Sequence, residues 1–90
     1  MDKEMIRSIA FEHQFKEIPC ESEGWISFVK DRSHGRIRIN FWEQAQIVLL
    51  VITKNLKGFK NYRKAFPSHK FDLVYRIFHN PNQFKKDGNK

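Results

Sequence analysis

Lys54, Lys57, Lys60, Arg63, Lys64 and Lys70 alternate with Phe59, Tyr62, Phe66 and Phe71, and no acid interrupts residues 54–71. Cations interleaved with flat rings supply what a nucleic-acid surface needs, neutralised phosphates and stacked bases. Charge is unevenly spread along the chain. Residues 1–53 hold seven Lys/Arg against eight Asp/Glu, residues 54–90 hold ten against two, and the net is +7. So local an excess is more than solubility requires. Lys57, Lys60, Arg63 and Lys64 are the expected phosphate contacts, with Tyr62 as the stacking ring. Arg36 and Arg38 support them, because they share a strand face with Asn40 and form a row of donors. Lys85, Lys86 and Lys90 lengthen the footprint. The bland alternative is a solvated edge strand whose rings face the core, with Arg36 and Arg38 on an ordinary wet face.

Other chemistry is thinly represented. His13, His34, His69 and His79 form no metal motif, since no pair sits at i, i+4 with an accompanying Glu, and the single Cys20 makes no thiolate cluster. His34 lies in a loop between Asp31 and Arg36, and with Glu43 it would make the acid/base pair of a small ribonuclease. The arginine-rich final strand of compact basic ribonucleases is missing, as are a Gly-rich phosphate loop and a nucleophile elbow. No cofactor or metal is expected. Trp42 is either a stacking platform or a ring at the core edge. Trp25, beside Ile26 and Phe28, is assigned to the core.

The elements that must position these residues follow from hydrophobic period. Ile37, Ile39 and Phe41 alternate with Arg36, Arg38 and Asn40, which marks a half-buried antiparallel strand. Residues 25–30 make a second strand, joined to the first by the turn-forming residues 31–35 as a hairpin. The run 46–53 is dense in β-branched residues and reads as a strand buried on both faces, central in the sheet. Residues 55–58 read as a turn. Residues 59–66 can be read in two ways, since Leu56, Phe59, Arg63 and Phe66 would share a helix face, and the edge strand, whose Lys side chains deter aggregation, is adopted. Residues 5–18 support two readings. Ile6, Ile9, Ala10 and His13 would line a helix, whereas Ile9, Phe11 and Phe15 alternate as in a strand. The strand reading is adopted, because both Phe residues and Ile18 fall off the helical stripe. A C-terminal helix starts at Pro67-Ser68, with Ser68 as its cap, places Phe71, Val74, Tyr75 and Phe78 on one face that Leu73 and Ile77 extend, and ends at Asn80-Pro81.

Ninety residues, 40% of them hydrophobic, make one folded domain rather than a disordered chain. The expected architecture is α+β: a small antiparallel sheet of about four strands with the C-terminal helix packed on one face. The domain spans residues 1–81, and 82–90 form a flexible basic tail. The longest apolar run, 47–52, is too short for a membrane span. The N-terminus has acids where a signal peptide needs bases. With one cysteine, an intracellular location is expected.

The segments 35–42 (GRIRINFW) and 77–81 (IFHNP) resemble the framing segments of a family of small uncharacterised eukaryotic proteins, in which a Lys/Arg-rich segment lies between the two. The resemblance covers about half the chain. It departs at 47–52, which is more apolar than the family's threonine- and glycine-containing strand. It implies a compact fold and carries no activity. On the residues, the leading expectation is a non-enzymatic module that binds RNA or single-stranded DNA. The alternatives are a protein-interaction module with an acidic partner and a small ribonuclease using His34 and Glu43.

Overall fold

The structure, a computed structural model, describes residues 1–54 and 61–87. Five strands follow one another in chain order across a single antiparallel sheet: β1 (Lys16–Ile18), β2 (Trp25–Arg32), β3 (Gly35–Trp42), β4 (Ile47–Lys54) and β5 (Tyr62–Pro67). Helix α1 (Lys3–Glu12) precedes them, and α2 (Phe71–His79) and α3 (Pro81–Asp87) follow. The fold is α+β, as expected, with one strand more than expected. Among the described residues, no helix is long and apolar enough to cross a membrane.

All three helices contribute to one side of the sheet. Ile6, Ile9 and Ala10 of α1 and Val74, Ile77 and Phe78 of α2 form one core with alternate residues of the strands. Those residues are Ile26 and Phe28, then Ile37, Ile39 and Phe41, then Val48, Leu50 and Ile52, and finally Phe66. Ile37, Ile39 and Phe41 therefore point inward as their alternation requires. The β2–β3 hairpin is tighter than expected, since both strands run on until Arg32 pairs with Gly35. Gly35 is needed there, because a Cβ would collide with the Thr53 carbonyl oxygen of β4.

Four expectations are corrected. Residues 3–12 are helix rather than strand. Asp2 caps α1 by accepting from the Met5 amide at 2.8 Å, and the stripe Ile6–Ile9–Ala10 is buried. Gln14 closes the helix at φ +65°, and the Phe15 amide donates back to the Ala10 carbonyl at 2.8 Å. This left-handed closure turns Phe15 into the core after the helix has ended. Phe11, before the turn, is left exposed.

Strand β4 is second from the edge rather than central, and its burial alternates. Val48, Leu50 and Ile52 face the helices, while Ile47, Leu49 and Val51 lie half-buried on the other face. Helix α2 begins at Phe71 with Lys70 at its cap position and no side-chain cap. The Ser68 hydroxyl is engaged elsewhere, donating to Gln46 Oε1 at 3.2 Å. Residues 82–87 of the expected tail are helical and form α3 together with Pro81. Buried Pro81 suits a first helical position, and Phe84 packs edge-on against Phe66 at 5.1 Å between centroids.

Candidate nucleic-acid interface

The strand registers assign a second, helix-free face of the sheet. One row across it runs Lys16, Val29, Arg38, Val51, Arg63, touching every strand in turn. The next row is Ile18, Ser27, Asn40, Leu49, Ala65, and the one beyond is Trp25, Trp42, Ile47, Pro67. On the other side of the cationic row lie Asp31, Arg36 and Thr53. Residues directly opposite across antiparallel strands point the same way, so each row is also a line of neighbouring side chains. Lys16, Arg38 and Arg63 are then spaced about 9–10 Å apart, two strand separations each.

Arg38 is the most informative member. Its stem lies between the valines of neighbouring strands, and its Nε is fully covered yet has no hydrogen-bond partner. A covered guanidinium donor without an acceptor is costly, and because Nε itself is out of a ligand's reach, an anion laid on the face would be met by the terminal nitrogens of the half-buried Arg38. Among the described residues neither Arg38, Arg63 nor Lys16 has an ion pair. Arg36 donates from Nε to Asp31 at 2.7 Å, but that pair is solvent-exposed and exchangeable. Beside the row, the fully buried Ser27 donates its hydroxyl to Asn40 Oδ1 at 2.6 Å, which directs the Asn40 amide NH2 away from Ser27.

At the far end of the face, Trp25 and Trp42 stack on each other, with ring centroids 5.4 Å apart and planes 25° from parallel. Trp25 is therefore not a core ring. Its parity on β2 is opposite to that of Ile26 and Phe28. Gly24, at φ +85°, passes under the Trp42 indole, where a Cβ would come within 3.1 Å of Nε1. The pair is half-buried and offers aromatic surface on the same side as the cations.

The structure thus unites Arg36, Arg38 and Arg63 but separates them from Tyr62 and Lys64. Register pairs Tyr62 with Ile52 and Lys64 with Leu50, which puts both on the helix side. Tyr62 packs against the core and its hydroxyl donates to the Phe84 carbonyl at 3.2 Å. It is a packed ring, not the stacking platform expected. Lys64 is exposed, with Nζ 5.4 Å from the centre of the Phe66 ring. Lys57 and Lys60 lie outside the described residues, as do the turn at 55–58, Lys90 and the side chains of Lys85 and Lys86.

The ribonuclease pair is corrected outright. His34 sits in the β2–β3 turn and Glu43 in the β3–β4 turn, at opposite ends of β3. Eight residues of strand hold them about 27 Å apart. Glu43 instead accepts from the Lys3 amide at 3.0 Å. On the helix side, an open depression of about 370 Å³ is lined by Met5, Ser8, Ile9, Glu12, Phe71 and Tyr75. The Glu12 carboxylate there pushes the Tyr75 phenol above its ordinary range, chiefly by its charge.

Sequence reasoning missed Lys16 and the Trp25 partner of Trp42. Trp25 was readable from the alternation Trp25, Ser27, Val29, whereas Lys16 required knowing that the strand expected over 5–18 is confined to Lys16–Ile18, after a helix. No protein-family model, curated protein or solved structure matches the chain.

Proposed function

We propose that the open face of the sheet binds single-stranded nucleic acid, RNA or DNA, as a non-enzymatic module. Arg38 and Arg63, with Lys16 and Arg36 around them, neutralise backbone phosphates, and the Trp25–Trp42 pair stacks an unpaired base. The observation that carries this reading is the row of Lys16, Arg38 and Arg63, without ion pairs among the described residues, on the same face as an aromatic pair. A flat sheet face suits splayed bases better than a duplex, which asks for an element that enters a groove.

Salt-dependent binding to homopolymers tests it. With about four phosphate contacts, log affinity falls against log salt with a slope of roughly −3. Replacing Arg38 and Arg63 together by Ala flattens the slope by about 1–1.5 and weakens all sequences alike. Trp42→Ala weakens binding by roughly 1–3 kcal/mol and leaves the slope unchanged. An acidic protein partner would need the arginines without demanding base stacking. Loss of a protein partner on Arg38 replacement, with no homopolymer binding at any salt, would replace this reading with that one.

A further inference from the structure

On the opposite side of the molecule the C-terminal ends of α1 and α2 converge, and each ends in a histidine. His13 is the C-cap of α1 and His79 is the last residue of α2. Sixty-six residues apart in sequence, they bring His13 Nε2 and His79 Nδ1 to 3.3 Å. We propose that these two nitrogens form a chelating site for a divalent transition-metal ion of the zinc class, which takes imidazole nitrogen, with water completing the coordination.

Three observations carry it. The first is the tautomer of His13. Its Nδ1 lies 2.8 Å from the Ile9 carbonyl oxygen, which can only accept, so Nδ1 holds the ring proton and Nε2 presents its lone pair. A ring nitrogen donating to a backbone carbonyl while the other faces outward is the usual support of a metal-binding histidine. The second is the separation. Zinc–nitrogen bonds of about 2.0–2.1 Å at the tetrahedral angle put two ligand nitrogens about 3.3–3.4 Å apart. The observed spacing equals that, and it is long for an N–H donor to a nitrogen or oxygen acceptor, whose mode is about 2.9–3.0 Å.

The third is the fixed setting of the two rings. The His79 ring stacks on Tyr75, with centroids 6.1 Å apart and planes 17° from parallel, and the His13 ring meets the Tyr75 edge at 4.8 Å. Both rings are thus held by one aromatic neighbour. Two helix C-termini bring partial negative charge to the site, and the Glu12 carboxylate lies 3.9 Å from His13 Nδ1, while Lys30 Nζ, 3.0 Å from the His13 carbonyl oxygen, and Arg76 in the last turn of α2 offset part of that charge. Metal entry needs only a tautomer change at His79, whose ring proton moves from Nδ1 to Nε2 while Nδ1 takes the ion. Among the described residues no group of three ligating side chains forms, so the remaining positions belong to water.

The test uses the untagged full chain, stripped with chelator, and zinc ion alone. Calorimetry should find one ion per chain. Zinc should raise the melting temperature in a concentration-dependent way. In nitrogen-detected imidazole spectra, the His13 Nε2 and His79 Nδ1 resonances should move together. His79→Ala, at an exposed position, should raise Kd by more than about tenfold and erase the zinc-induced rise in melting temperature. His69→Ala should do neither. If His13→Ala fails to fold, the exposed His79→Ala decides alone. Zinc binding of equal strength in His79→Ala, or spectral shifts confined to His34 or His69, would overturn the site and leave an imidazole–imidazole hydrogen bond. Nucleic-acid binding should be unchanged by His79→Ala, since the cationic row lies across the sheet, so this test and that of the proposed interface fail separately.

Discussion

Gln46 shows how much a single side chain can hold. It occupies the last position of the β3–β4 turn at φ +53°, a conformation unusual for a residue with a side chain. Its Nε2 donates to the carbonyls of Met1 and Glu43, each at 2.8 Å, and its Oε1 accepts from the Ser68 hydroxyl. Its own carbonyl accepts from the Ser68 amide at 2.8 Å. One amide therefore ties the start of α1, the turn and the entry to α2. Gln46→Ala should lower stability by about 1–3 kcal/mol, because buried Ser68 and the two carbonyls lose their partner while the strained φ remains. Denaturant unfolding measures this. A change below about 0.5 kcal/mol would mean that water replaces the amide without cost.

At the level of elements, α3 is the least firmly held. Its described packing reduces to buried Pro81 and the Phe84–Phe66 contact, with the Phe84 carbonyl accepting from Tyr62. Phe84→Ala should release α3 while the sheet persists. Amides of 82–87 should then exchange rapidly, and those of β2, β3 and β4 should keep their protection. Uniform loss of protection would instead make α3 part of the core unit. The contrast between β3 and α1 explains which elements the sequence made legible. β3 has a dry face of Ile37, Ile39 and Phe41 and a polar face of Arg36, Arg38 and Asn40, so its period-2 pattern is unbroken. Around Gln14, by contrast, apolar residues lie on both sides of a left-handed turn, and Phe11 and Phe15 imitate one period although they belong to different elements. β4 misled for another reason: Ile47, Leu49 and Val51 are apolar on the open face. The candidate interface was legible in Arg36, Arg38 and Arg63. Tyr62 and Lys64 went to the other face because parity on β5 is set by its register with β4, which composition does not encode.

For the molecule as a whole, the sheet divides two chemistries. Its helix side is a dry core bordered by two imidazoles, and its other side pairs cations with aromatic surface. Charge asymmetry along the chain translates only partly into asymmetry in space, since Lys16, Arg36 and Arg38 come from the half of the sequence that is acidic on balance. Strand order has a consequence of a different kind. Because β1 to β5 neighbour one another in chain order, every strand pairing closes a short loop, and the sheet can zip outward from the β2–β3 and β3–β4 hairpins. The contacts between α1 and α2 join opposite ends of the chain. Loop-closure entropy delays those contacts until the sheet exists to receive them. Folding kinetics should record this order. Ile39→Val, in the hairpin that forms early, should mainly slow folding. Ile77→Val, in the helix that docks late, should mainly speed unfolding. The reverse assignment would mean that the chain ends meet first and the sheet assembles around them.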